Sequence, residues 1–194
     1  MIDKLPGGKL RRRGAHLKAA VLSAVLESVN EYGIRGFSVS DVAHRAGVHE
    51  TSVYRRWSES RALLVAALYD RTDETLPVPD TGSLRGNLLA HLRQVADYLA
   101  SPTGRASLQI AAATVQSDAS EKARDDFWSS RSTVVELLLE RARKTGEIVD
   151  VPDPEIAYEL LAAPLYMRVL LTGRPIDEDY LTRIVDSFLR ESTS

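Results

Sequence analysis

Residues 38–57 constrain the fold of this chain most, because they carry the spacing of two short helices joined by a tight turn. Ser38 is a short hydroxyl residue in the right place to cap the first helix. Four apolar residues recur at helical spacing and form one stripe along that helix: Val39, Val42, Ala43 and Ala46. Gly47 follows the stripe, where a left-handed residue ends a helix without steric cost. The pattern predicts a helix, a turn and a second helix that reaches Trp57.

The second helix has an apolar back and a polar front. It runs through Thr51, Val53, Tyr54 and Trp57. The predicted outward residues are Glu50, Ser52, Arg55 and Arg56. A short helix with arginines on its front has the shape and the hydrogen-bond donors that suit a DNA major groove. An ordinary helical hairpin inside an all-α domain is the alternative.

The preceding residues favour the DNA-binding interpretation. Leu17 to Tyr32 form one amphipathic segment that ends at Gly33, and Gly36 lies in the connection to Ser38. A single helix followed by a two-helix motif is the three-helix unit found in many DNA-binding modules.

Gly33 to Leu64 resembles the DNA-binding signature of TetR-type (tetracycline-repressor-like) transcriptional regulators. The matching features are Gly33, Gly36, Asp41-Val42-Ala43, Ala46-Gly47-Val48, Tyr54, Trp57 and Leu63-Leu64. Where the family usually carries a phosphate-binding lysine, three residues after the aromatic one, this chain has Ser60. The neighbouring Arg61 is the candidate to replace that contact.

These residues define the candidate DNA-binding set. It consists of Ser38, Glu50, Thr51, Ser52, Tyr54, Arg55, Arg56 and Arg61. The resemblance implies that Tyr54 binds a phosphate, and its ring can pack while its hydroxyl reaches out. Arg55 and Arg56 suit either a guanine edge or a phosphate, and Glu50 suits either a cytosine amine or the helix dipole.

The basic segment Lys9 to Arg13 precedes this unit. We expect it to lack fixed structure without DNA. It then either follows phosphates or a minor groove, or serves as a solvated tail.

Charge is distributed unevenly along the chain. The whole chain has a net charge of −2, whereas residues 1–61 hold eleven basic and six acidic residues, a net +5. The remainder must therefore carry −7, so a basic head stands on an acidic body, which directs DNA to one end. Chance variation of the surface is the alternative reading.

Composition excludes several other classes of function. The chain has no cysteine, which rules out disulfides, thiolate metal sites and cysteine nucleophiles. Its four histidines include no pair at helical metal-site spacing, so we predict no metal and no cofactor. We find no signal peptide and no uncharged stretch of 18 residues, so we expect no membrane segment and a cytoplasmic protein.

Helical periodicity runs through nearly the whole chain, which predicts an all-α fold with about nine helices. We expect a three-helix head at residues 1–60 and a six-helix body at residues 61–194. The predicted body helices are about Arg61–Leu76, Leu84–Ala100, one starting near Pro102, Ser120–Thr145, Pro154–Leu171 with a bend at Pro164, and Asp177–Arg190.

In TetR-type proteins the body resembles a ligand chamber, and its last two helices form a four-helix dimer interface. The resemblance therefore implies a homodimer, with Val185 and Phe188 as interface residues to test; a buried helix pair in a monomer is the alternative. Because no anion clamp marks the body, we expect a largely apolar effector and assign it no residues.

The sequence as a whole predicts a regulator that binds a double-stranded DNA operator in a sequence-specific way. We expect a repressor that a small molecule releases by changing the distance between the two heads of the dimer. One alternative is a DNA-binding regulator with no small-molecule effector. The other is a helical enzyme or scaffold, for which the chain offers no phosphate-binding glycine loop and no nucleophile elbow.

Overall fold

Helices account for almost all of the chain that the computed structural model describes, which is residues 7–69, 77–114 and 121–192. Nine α-helices and one π-helical turn lie in these ranges, with no β-strand, and the all-α prediction is confirmed. The helices are α1 Gly7–Gly36, α2 Val39–Arg45, α3 Glu50–Arg56, α4 Ser60–Tyr69, α5 Leu84–Ala100, α6 Pro102–Thr114, α7 Glu121–Thr145, α8 Pro154–Met167 and α9 Glu178–Ser192.

Packing divides the chain into two units. The first unit is Met1–Asp70 with Pro102–Ser120, and the second is Arg71–Ser101 with Glu121–Ser194. Thus α4 and α6 pack with the helix-turn-helix in the first unit, while α5 and α7 to α9 form the second. The predicted functional division at residue 60 stays a prediction, since packing alone does not say which part binds what.

The first unit is built around α1. This helix packs against α2, α4 and α6, and α2 packs against α3. Its core consists of aliphatic side chains from these helices, including Val21, Val25, Val29, Val42, Leu63, Ala67 and Ile110. Full burial of each valine or leucine stabilises the fold by about 1.5–3 kcal/mol, so these contacts hold the short helices α2 and α3 in place.

The start of α1 differs from the sequence prediction. Helix α1 begins at Gly7, so the backbone of Lys9 to Arg13 is helical and the prediction of an unstructured arm is wrong. Lysine, leucine and arginine are good helix formers, which lets the helix extend beyond its packed portion. The side chains of this segment lie outside the described residues. At its other end α1 is broken at Gly33, where φ is 70° and ψ is 172°, in agreement with the predicted helix end.

The second unit packs α7 against α8, α5 against α7, α8 and α9, and α8 against α9. Its fully buried side chains include Leu88, Leu92, Leu99, Leu138, Leu139, Leu161, Leu165 and Val185. Val185 and Phe188 are therefore core residues of a single chain, and their choice as dimer-interface residues is wrong. The reason is that α9 turns its apolar stripe inward, onto α5 and α8 of the same unit.

The end of α8 also differs from its prediction as one helix to Leu171. The α-helix ends at Met167, and Arg168–Thr172 form a π-helical turn that Gly173 closes with φ of 63°. Pro164 lies inside α8, and its carbonyl accepts a hydrogen bond from the Tyr180 hydroxyl at 3.2 Å. That contact joins α8 to α9. A bend at Pro164 stays a prediction.

We predict that Phe188→Ala lowers the free energy of unfolding by about 3–5 kcal/mol, because it leaves a cavity in the core of the second unit. Val149→Ala is the control: Val149 is 88% exposed, so its loss changes the unfolding free energy by about 0.5 kcal/mol or less. Urea unfolding followed by circular dichroism measures both. Release of folded monomers with an unchanged unfolding curve would place Phe188 in a dimer interface instead.

Candidate functional site

The first motif helix is capped as the sequence predicts. The Ser38 side-chain oxygen accepts a hydrogen bond from the Asp41 backbone N–H at 3.2 Å, and Ser38 itself is extended, with φ of −140°. This bond satisfies one of the free N–H groups at the start of α2. Ser38 is half-buried, so its direct contact with DNA stays a prediction.

The turn between α2 and α3 forms at Gly47, with φ of 65°. The Gly47 N–H donates to the His44 carbonyl at 3.1 Å, and the Val48 N–H donates to the Ala43 carbonyl at 2.9 Å. These two bonds form a Schellman motif, which requires a left-handed residue at this position. The predicted turn is confirmed, and it sets the direction in which α3 leaves α2.

Helix α3 has a buried back and an exposed front, as predicted for Val53, Trp57, Glu50, Arg55 and Arg56; Thr51 and Tyr54 are exposed as well. Val53 and Trp57 are buried on its inner side. On the other side Ser52 is half-buried, and the exposed residues are Glu50, Thr51, Tyr54, Arg55 and Arg56. An α-helix with its side chains is about 10–12 Å across, which fits a major groove about 12 Å wide. The five exposed residues are thus accessible to DNA.

The two arginines of α3 differ in their surroundings. The Arg56 Nη1 donates to the Gly14 carbonyl at 3.2 Å, and its guanidinium lies 5.5 Å from the Trp57 ring centre. Arg55 is exposed and makes no hydrogen bond or ion pair within the described residues. Arg56 must therefore give up contacts with the rest of the first unit to reach a base edge, whereas Arg55 does not.

Arg45 is a structural residue that the sequence reasoning counted only as a basic charge. Its guanidinium pairs with Asp41 at 2.8 Å and with Glu31 at 2.6 Å, and it lies over the Tyr32 ring. The hydrogen bond from Arg45 lowers the pKa of Asp41, so this carboxylate stays ionised. The three charges join α1 to α2 and leave no positive charge on Arg45 for DNA. The i, i+4 spacing of Asp41 and Arg45 was the available signal.

Arg61 is exposed in the first turn of α4, which begins at Ser60. It makes no hydrogen bond or ion pair with any described residue. Its guanidinium is therefore accessible to a phosphate, and the phosphate contact itself stays a prediction.

The second unit contains a cavity of about 450 Å³ between α7 and α8. Its lining consists of Asp125, Trp128, Ser129, Ser132, Glu155, Tyr158, Glu159, Ala162, Ala163 and Tyr166. The Tyr158 and Tyr166 hydroxyls are hydrogen-bonded at 3.0 Å, and the Trp128 and Tyr166 rings meet edge to face with centres 5.9 Å apart. Burial raises the pKa of Tyr158, which keeps its hydroxyl neutral. The volume lies within the range of small-molecule sites.

Helix α5 brings two buried polar groups without partners into the same unit. Both ring nitrogens of His91 and the Gln94 side-chain oxygen lack a hydrogen bond, although His91 is only 2% exposed. Burial lowers the pKa of His91 to about 4, so its ring is neutral at pH 7. An unpartnered buried polar group costs about 1–3 kcal/mol, which a bound polar molecule would recover.

Within the described residues, no three histidine, aspartate or glutamate side chains are grouped as a metal ion would require. None of the helices in the described ranges is both long and apolar enough to cross a membrane.

Two protein families match this chain. Residues 21–68 match the family described as bacterial regulatory proteins, tetR family, and residues 78–188 match the tetracyclin repressor-like C-terminal domain. The first match contains the helix-turn-helix, and the second contains the cavity.

Curated relatives match over most of their length. The HTH-type transcriptional regulator AqdR of Rhodococcus erythropolis is 31% identical over 170 residues, which cover 88% of this chain and 82% of AqdR. The DNA-binding transcriptional repressor TetR of Mycobacteroides abscessus is 34% identical over 183 residues, which cover 91% of this chain and 94% of that repressor.

Solved structures share the fold. The TetR family transcription regulator SCO0332 aligns with a TM-score of 0.69 at 28% identity, over 90% of this chain and 97% of its own. The multidrug binding protein EbrR, complexed with ethidium, aligns with a TM-score of 0.64 over 89% of this chain and 98% of its own. At 19% identity, EbrR supports the fold alone.

We predict that His91 makes the protein less stable in acid. Its pKa is about 4 in the folded state against about 6.5 unfolded, so the unfolded chain binds the extra proton between these values. Stability is therefore complete above about pH 6.5 and falls by about 2 kcal/mol by pH 5. Urea unfolding at several pH values measures this slope. His91→Gln should reduce this dependence of stability on pH; an equal dependence in the parent and in His91→Gln would contradict the assignment.

Proposed function

The chain belongs to the tetR family of DNA-binding transcriptional regulators, and we propose that it is a repressor that leaves its operator when a small molecule binds the second unit. The matched families and relatives are regulators, which confirms the predicted class over a helical enzyme or scaffold. The observation that carries the proposal is the two-sided character of α3, with Val53 and Trp57 buried behind an exposed polar face.

The proposed reading surface consists of the outward residues of α3 together with Ser38 and Arg61. Tyr54 is 48% exposed, so its ring can stay against the protein while its hydroxyl donates to a phosphate. Arg55 is the proposed base-reading residue, because its guanidinium is accessible and can donate two hydrogen bonds to the edge of a guanine. Thr51 and Ser52, near the start of α3, suit base edges or phosphates.

Glu50, Arg56 and Arg61 have supporting roles in this proposal. Glu50 lies in the first turn of α3, where its negative charge interacts favourably with the helix dipole. Arg56 retains its contact with Gly14 and neutralises phosphate from the edge of the surface. Arg61 takes the phosphate contact that a lysine makes in the family.

We also propose that the protein is a homodimer, since two heads are needed to read two half-sites. An exposed apolar stripe on α8 and the π-helical turn supports this. The stripe consists of Ile156, Leu160, Met167, Leu170 and Leu171. Exposed side chains of this size in a row along one helix are typical of an interface. The seam therefore lies mainly on α8, with α9 contributing its half-buried residues Ile184 and Leu189.

The proposed effector site is the interior of the second unit. The cavity between α7 and α8 and the unpartnered polar atoms of His91 and Gln94 support it. Helix α6 packs in the first unit, but it connects along the chain to α5 and α7 of the second. A ligand that shifts α5 or α7 can therefore act on the first unit through α6 and change the distance between the two heads. A regulator controlled by another protein would lack such a ligand response.

We predict that Arg55→Ala weakens operator binding by about 1–3 kcal/mol and relaxes the preference at one base pair. Tyr54→Phe should weaken binding to all sequences alike and leave the slope of log affinity against log salt unchanged, because the hydroxyl that is lost carries no charge. Fluorescence anisotropy at several salt concentrations measures both. Arg143→Ala removes the same charge from the last turn of α7 and is the matched control. Unchanged affinity in both α3 variants would rule out α3 as the reading helix.

We predict that Leu160→Glu converts the dimer to folded monomers, because it places an unpaired charge in the apolar seam at a cost of several kcal/mol. Leu137→Glu is the control, since Leu137 on α7 is 49% exposed and Leu160 is 52% exposed. Light scattering gives the mass, and circular dichroism checks the fold. Parent protein that is monomeric at micromolar concentration would contradict the dimer, as would equal dissociation of both variants.

A further inference from the structure

The cavity between α7 and α8 has an unbalanced charge. Three carboxylates, Asp125, Glu155 and Glu159, belong to its lining, and no lysine, arginine or histidine is found among the ten described lining residues. None of the three carboxylates forms an ion pair with a described residue. The described lining residues therefore supply no positive charge to balance these carboxylates.

Two of these carboxylates repel each other within one helix. Glu155 and Glu159 are four residues apart on α8, so their side chains lie on the same face, where like charges destabilise a helix. The helix dipole favours Glu155 in the first turn of α8 but does not reach Glu159. Glu159 therefore gains most from a cation bound in the cavity.

Three aromatic side chains, Trp128, Tyr158 and Tyr166, form another part of the cavity wall. Trp128 and Tyr166 meet at an interplanar angle of 83°, so a flat molecule can stack on one ring and touch the edge of the other. The faces of tryptophan and tyrosine rings attract cations. The Tyr158 and Tyr166 hydroxyls are hydrogen-bonded to each other at 3.0 Å, and burial raises the pKa of both, which keeps them neutral. The aromatic rings and the carboxylates thus both favour a positively charged ligand.

One arginine lies close to the cavity wall without being part of its lining. The Arg131 guanidinium lies 4.7 Å from the Phe127 ring centre and 5.6 Å from that of Tyr98. Its charge acts on the two tyrosines of the lining, whose pKa values burial nevertheless raises. It therefore offsets part of the negative charge of the three carboxylates.

We propose that the effector of this regulator is an organic cation with a flat aromatic ring system, stacked on the exposed face of Trp128 or Tyr166 with Glu159 and its neighbouring carboxylates as counter-charges. This inference rests on the proposed function, because it names the chemical class of the small molecule that releases the operator. A cavity of about 450 Å³ accommodates two or three fused rings.

Three bicyclic probes of nearly equal size test which ligand charge the cavity prefers. They are N-methylquinolinium as the cation, quinoline at about pH 8 as the neutral molecule and 1-naphthoate as the anion. Isothermal titration calorimetry with the full-length protein measures their affinities. We expect the cation to bind about tenfold or more tightly than quinoline, and the anion to bind more weakly than quinoline. Equal affinities, or tightest binding of the anion, would overturn the proposal.

Variants then place the cation in this cavity. Glu159→Gln and Glu155→Gln should each weaken the binding of N-methylquinolinium by about two- to fivefold and leave the affinity for quinoline unchanged. Glu136→Gln, an exposed carboxylate of α7 outside the lining, is the matched control. Trp128→Leu should weaken both quinolinium and quinoline, since it removes the stacking surface. A cation whose affinity is the same in the parent, Glu159→Gln and Trp128→Leu binds elsewhere, and that result also overturns the proposal.

A separate measurement distinguishes this inference from the proposed function. The cation is added to the preformed protein–operator complex, and release is followed by anisotropy of the labelled DNA. Binding in the cavity with operator release supports both. Binding in the cavity without release upholds the cation site and contradicts the small-molecule mechanism. Release by other molecules, with no cation binding, upholds the mechanism and overturns the effector class.

Discussion

The orientation of α3 depends on the burial of Val53 and Trp57 in the first unit. These two side chains determine which face of α3 points inward, so they also determine that Tyr54 and Arg55 point outward. A seven-residue helix is too short to be stable by itself. Packing within the first unit, together with the turn at Gly47, therefore holds α3 in the orientation that the proposed DNA-reading surface requires.

Electrostatics in the first unit serves structure as well as DNA binding. Arg45 is neutralised by Asp41 and Glu31, and Arg56 is partly held by Gly14. Arg45 and Arg56 are thus less available to DNA than a plain count of basic residues suggests. Arg55 and Arg61 are exposed and have no described partner. They are therefore the cations that we propose contribute most to DNA affinity.

Local features of the helix-turn-helix were predictable from sequence, because they depend on short-range chemistry. The Ser38 cap and the Gly47 turn need only the residues next to them, and the α3 face follows from periodicity. Features that depend on distant residues were not predictable. The packing of Phe188 against its own chain requires α5 and α8, and the amphipathic pattern of α9 alone cannot distinguish this from a dimer interface.

The cavity likewise could not be predicted from the sequence, because it depends on residues that are far apart in the chain. Its carboxylates come from α7 and α8, and no sequence motif joins Asp125 to Glu159. The pairing of Arg45 with Glu31 likewise joins residues 14 positions apart, although its other partner, Asp41, is at helical spacing. Residues 70–76 and 115–120 lie outside the described chain, so the predicted extension of α4 to Leu76 stays a prediction.

Hydroxyl-radical footprinting tests the central claim most directly, which is that two copies of α3 read successive major grooves. The DNA is a site selected from a random pool by the full-length protein. We expect two protected segments on one face of the duplex, about one helical turn or a multiple of it apart, and Arg55→Ala should need about 5- to 150-fold more protein for the same protection. A single protected segment, or protection by Arg55→Ala at the same protein concentration as the parent, would contradict the claim.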